Sequence, residues 1–80
     1  MTLHITLLDR EGALERLIST CRRRGYGLAS LFAAGAEDGT QRVDLSLLPG
    51  RATPELLVAT LYRIQDIAHI EVIEARRQVA

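Results

Sequence analysis

The apolar residues of this chain change period at one short break, and that change limits the folds open to it. From Thr2 to Leu8, Leu3, Ile5 and Leu7 alternate with Thr2, His4 and Thr6, the pattern of a strand with one buried face. Asp9-Arg10-Glu11-Gly12 interrupts the alternation, and from Ala13 the apolar positions are Ala13, Leu14, Leu17, Ile18 and Cys21, one face of a helix, with Glu15, Arg16, Arg22 and Arg23 facing water. Arg22-Arg23-Arg24 followed by Gly25 is a stop signal, because cations favour the negative end of a helix and Gly accepts the left-handed conformation beyond it. Leu7 to Ser30 therefore reads as strand, turn, helix, stop, strand. A turn that opens a helix presents unpaired backbone N–H groups suited to the carboxylate of a small molecule, which marks a candidate sensor rather than a catalytic centre.

The remaining segments repeat the alternation of periods. Tyr26 to Ala34 is extended, with Tyr26, Leu28, Ser30 and Phe32 on one face and Gly27, Ala29, Leu31 and Ala33 on the other. Gly35-Ala36-Glu37-Asp38-Gly39 predicts a hairpin turn into Gln41 to Leu48, which turns Val43, Leu45 and Leu47 inward. Thr53 caps a second helix that starts at Pro54 and buries Leu57, Leu61, Ile64 and Ala68; His69 to Glu74 is a last strand. The order is strand, helix, strand, strand, helix, strand. It predicts an α+β, ferredoxin-like βαββαβ fold: a four-stranded antiparallel sheet with two helices on one face. Residues 1–75 form the expected single domain and 76–80 a flexible tail. The face left bare, with Leu31 and Ile73 on it, argues for a second subunit and a homodimer.

Composition narrows the classes of partner. The 80 residues carry 10 basic and 10 acidic side chains, so no general attraction to nucleic acid or anionic membrane is expected. No basic leader followed by a long apolar run precedes the first strand, and a cytoplasmic protein is expected. Cys21, the one cysteine, sits on the apolar side of the first helix as a reduced core residue. His4 and His69 lack metal-ligand spacing with carboxylates or Cys21, the serines lack a nucleophile-elbow context, and no phosphate-binding glycine loop is present. No catalytic residue, metal site or cofactor is expected in this chain.

Arg24-Gly25-Tyr26-Gly27 fits the start of a ribonucleoprotein motif, and RNA-recognition domains share this fold. Leu28 and Leu31, however, occupy places where bases would stack on aromatics, and the segment falls on the second strand rather than the third. An RNA-binding module is the weakest reading. For Asp9 to Gly12 the plain alternative to a ligand site is an ordinary turn in which Asp9 supports the helix start.

Asp9-Arg10-Glu11-Gly12-Ala13-Leu14-Glu15-Arg16 and Arg24-Gly25-Tyr26-Gly27-Leu28-Ala29-Ser30-Leu31 resemble the ACT domain that opens the small regulatory subunit of acetolactate synthase (acetohydroxyacid synthase). Leu61-Tyr62-Arg63-Ile64-Gln65-Asp66-Ile67-Ala68-His69-Ile70 is similar to that family's Leu-x-Lys-Leu-x-Asp-Val-x-x-Val. The run Asp66-Ile67-Ala68-His69-Ile70, with the short chain, resembles the single-domain isozyme II type. The resemblance implies a non-catalytic partner of a large catalytic subunit, which would carry thiamine diphosphate, FAD and magnesium in branched-chain amino-acid biosynthesis. It implies a branched-chain amino-acid effector site at Asp9, Arg10, Glu11, Gly12, Ala13 and Gly27, with Gly27 completing the pocket across a dimer. Asp9 and Gly27 stand where valine-binding relatives carry Asn, so weak or absent valine binding is expected. A stand-alone ACT amino-acid sensor is the alternative.

Overall fold

A computed structural model describes residues 1–73, and the tail expected at 76–80, like the end of the domain expected at 75, lies outside the described residues. The elements are β1 (Thr2–Leu8), α1 (Ala13–Arg23), β2 (Leu28–Gly35), β3 (Thr40–Leu47), α2 (Pro54–Leu61) and β4 (Ile67–Ile73). The strands form one sheet in the order β2-β3-β1-β4, with every neighbouring pair antiparallel. This is the expected ferredoxin-like architecture. Leu3, Ile5 and Leu7 of β1 and Val43, Leu45 and Leu47 of β3 join Leu17 and Cys21 of α1 and Leu57 and Leu61 of α2 in one core. With few aromatics, that core is made of aliphatic side chains that fill a sheet-to-helix layer.

Two bulges change what each edge strand presents. Leu28 pairs with Leu47 and Ser30 with Ser46, so Ala29 is an extra residue in β2. The face assignment flips there, and Leu31 lies opposite Leu45 on the helix side rather than on the bare face, as alternation alone predicts. Leu28 likewise joins the helix side instead of sharing a face with Phe32. In β4, Thr6 pairs with His69 and Leu7 with Ile67, which leaves Ala68 as the extra residue.

The bare face is consequently polar. Its central row runs Phe32, Asp44, His4 and Glu71 across the four strands, flanked by Arg42, Thr6 and His69 on one side and Ser30, Ser46 and Thr2 on the other. His4 Nε2 and Asp44 Oδ1 stand 3.6 Å apart there. Phe32, 65% exposed, Ile73, Leu8 and Ala34 are apolar members spread over it. The expectation of an apolar face that needs covering does not hold, and any dimer must be argued from elsewhere.

The second helix is shorter than its sequence pattern predicts. It ends at Leu61, β4 begins at Ile67 rather than His69, and Ala68 is exposed on a strand rather than buried on a helix. The chain has to turn early because the carbonyl of Asp66 is drawn to the end of β1, where it accepts the Leu8 N–H at 2.7 Å. Thr53 caps α2 as expected, its side chain accepting the Leu56 N–H at 3.2 Å, with Pro54 in the first turn. Among the described residues no helix is long and apolar enough to cross a membrane.

Candidate functional site

The turn between β1 and α1 is pinned from two sides. Leu8 N–H bonds to the Asp66 carbonyl, and Asp9 N–H donates to the Gly39 carbonyl of the β2–β3 hairpin at 2.9 Å. Gly12 is the N-cap in the left-handed conformation, φ +80°, and no side chain caps the helix. Asp9 does not support the helix start. It lies three positions before the N-cap, and its Oδ1 accepts from Gln41 Nε2 at 3.4 Å instead. Ala13 N–H returns to the Arg10 carbonyl at 3.0 Å, closing the turn. Arg10, Glu11, Gly12 and Ala13 are thus contiguous in one small loop at the head of α1, with Asp9 at its entry.

Arg16 ties this loop to a distant part of the chain. Its Nε donates to Asp66 Oδ2 at 2.8 Å, its Nη2 stands 2.7 Å from the same oxygen, and Nη2 also donates to the Glu11 carbonyl at 3.3 Å. Arg10 Nη1 approaches Asp66 Oδ1 at 3.6 Å. The Asp66 side chain is 1% exposed, and two guanidiniums face it. Gly12 makes room for this arrangement, since a Cβ there would stand 2.9 Å from Arg16 Nη1. Arg16 is half exposed, as the pattern of α1 predicts, while its head reaches back to the α2–β4 connection. Arg16 and Asp66 lie 50 positions apart in the two segments that resemble one family, but neither segment alone signals the pair.

Beside this ion pair a groove of about 800 Å³ opens along α1 toward the α2–β4 connection, lined among others by Arg10, Glu11, Ser19, Arg23, Gln65 and Asp66. It presents charges of both signs. Among the described residues no group of three or more His, Cys, Asp or Glu side chains could hold a metal ion.

Gly27 lies at the far end of the sheet from this loop. Its carbonyl accepts the Leu48 N–H at 2.8 Å, and a Cβ there would press on the Leu48 side chain at 3.2 Å. Because β2 starts beside the end of β3 and β1 ends beside the start of β3, one chain keeps Asp9 and Gly27 apart. Only a second chain can bring them together.

Next to Gly27, Tyr26 is buried at 4% exposure. Its hydroxyl donates to the Ala52 carbonyl, and a Cβ on Gly50 would overlap its ring. The ring that would stack a base in an RNA-recognition motif is here a core residue under the β3–α2 loop. Cys21 is fully buried, and burial pushes its thiol from 9.0 up to about 11, so it is an unreactive core side chain.

Residues 9–70 match the family pattern of the ACT domain. Among solved structures the fold is similar to the acetolactate synthase small subunit from Thermotoga maritima, with a TM-score of 0.76 and 15% identity over 88% of this chain. The match spans 44% of that subunit, less than half its length. The fold is also similar to the ACT domain from GTP pyrophosphokinase of Chlorobium tepidum, with a TM-score of 0.67 and 18% identity over 88% of this chain and 91% of that one.

Proposed function

The chain belongs to the ACT domain family, and from that premise we propose that it is a non-catalytic regulatory small subunit of acetolactate synthase. It would raise the activity of a large catalytic subunit that carries thiamine diphosphate, FAD and magnesium. The observation that carries this reading is the Arg16–Asp66 pair at 2.7 Å. It joins the two segments that resemble the small-subunit family, Leu14 to Arg16 and Leu61 to Ile70, so the resemblance extends to residues that depend on each other in space. The run from Asp66 to Ile70 favours the single-domain isozyme II type. Such a subunit acts by binding the active arrangement of its partner more tightly than the inactive one.

Two copies would pair through β2. That edge strand, Leu28–Gly35, has no charged residue and no proline, whereas the β4 edge is covered by Tyr62, whose hydroxyl accepts the Ile70 N–H at 3.0 Å. Antiparallel pairing of β2 with β2 would bring Gly27 of one copy to the Asp9 end of the other and so assemble the effector site. Asp9 offers a carboxylate to an α-ammonium group, but Glu11 beside it repels the α-carboxylate, and Gly27 offers no side chain. Titration calorimetry should therefore show weak or no valine binding; tight, saturable binding would contradict this part of the reading.

Addition of the chain to a purified catalytic subunit should increase acetolactate formation in a saturable way. A second reading, a stand-alone amino-acid sensor, rests on the ACT domain family itself. It predicts ligand-dependent association of this chain with no catalytic subunit present.

A further inference from the structure

The charges of this chain are unevenly spread, with four arginines at one end and Glu55 in the adjoining first turn of α2. Arg22 and Arg23 close α1, Arg24 is its C-cap, and Arg51 comes across from the β3–α2 loop to lie against Gly25, where a Cβ would stand 2.7 Å from Arg51 Nε. Among the described residues none of these four guanidiniums has a carboxylate at ion-pairing distance. The opposite end carries Asp9 and Glu11 in the β1–α1 turn beside Arg10 and Arg16, and Glu37 and Asp38 at the tip of the β2–β3 hairpin, with Arg42 on its β3 arm. Glu37 is exposed and without an ion-pair partner among the described residues. Hydrogen bonds from the Thr40 hydroxyl at 2.7 Å and its N–H at 3.1 Å hold the Asp38 carboxyl below its usual range, so it stays ionised. Like charges gathered at an end repel one another unless an opposite charge arrives from outside. This chain carries both halves of that match.

Resting on the β2-to-β2 dimer proposed above, we infer that the Glu37–Asp38 hairpin of each copy docks against the Arg22–Arg24 end of α1 in a second copy. In antiparallel pairing centred at Leu31 and Phe32, Gly35 lies beside Leu28 of the other copy, and the hairpin that follows Gly35 reaches toward the segment that follows α1. Parallel pairing would instead set hairpin against hairpin and arginine against arginine. The charges therefore fix the direction of pairing, by attraction in one orientation and repulsion in the other. The polar bare face plays no part in the contact.

The test is the dimer dissociation constant of the full chain by sedimentation equilibrium, at low and at high salt. Each contact occurs twice in a twofold dimer, so Glu37→Arg and Arg24→Glu should each weaken the dimer about tenfold at low salt, and much less at high salt. The double variant should recover to within about threefold of the original, because the exchanged charges pair again. Arg63→Glu and Glu71→Arg make charge changes of the same size away from the β2 edge and should leave the constant unchanged. Thermal melts confirm folding of each variant; if Arg24→Glu melts early, Arg23→Gln takes its place with a smaller expected loss. Unaltered single variants, additive losses in the double variant, or equal losses in the controls would overturn the charge contact and leave the dimer standing. A chain that stays monomeric at every concentration would overturn the dimer and the contact together.

Discussion

The two ends of helix α1 are anchored by opposite means. At its start, the Asp9–Ala13 loop has no side-chain cap and is held by an ion pair between Arg16 and the buried Asp66. At its end, Gly25 at φ +84° turns the chain and Tyr26 is packed under Gly50 and Ala52. The first anchor is polar, reaches across 50 positions of sequence, and borders the groove. The second is apolar and local to one corner of the core. A loop that must respond to a ligand or partner is better held by charges, whose balance an incoming group can shift, than by a packed ring that yields only by unfolding.

Substitutions can break this contrast. Tyr26→Ala removes a packed ring and its hydrogen bond and should cost about 4 kcal/mol in denaturant unfolding. Arg16→Met leaves Asp66 buried with the looser Arg10 contact alone and should cost about 3 kcal/mol. Adding Asp66→Asn to Arg16→Met should recover part of that loss, because the buried charge leaves with its partner; no such coupling is expected between Arg16→Met and Tyr26→Ala. Equal coupling in both pairs would show that the two anchors are one unit. The smallest effect concerns Cys21, which sits on α1 between the two anchors. Its folded thiol stays protonated up to about 11 while the unfolded thiol ionises near 9.0, so stability should be unaffected below that range and fall as pH rises through it. Alkylation of the native chain at neutral pH should accordingly be slow, and fast once unfolded.

The element order was legible because local periodicity carried it: alternation in β1 and β3, helical spacing in α1, and the Thr53-Pro54 start of α2 all hold. The reversed face of β2 has one cause. Ala29 and Ala68 each insert a residue into an edge strand, and an inserted residue leaves no mark on an alternating pattern, so alternation puts Leu31 on the wrong face. The continuation of α2 to Ala68 failed for a different reason: Ile64 and Ala68 keep helical spacing, while a long-range bond from Leu8 ends the helix region early. Of the candidate site, the loop from Asp9 to Ala13 could be located from the period change alone. Its tie to Asp66 could not, since pairing between side chains so far apart in sequence is set by the topology rather than by either segment.

The central claim is that this chain activates an acetolactate synthase catalytic subunit. It is tested most directly by the rate of acetolactate formation from pyruvate by a purified catalytic subunit titrated with the chain. The account predicts a saturable rise in rate, smaller for Arg16→Met at equal concentration of folded chain. A flat titration, with the chain folded and in excess, would contradict it.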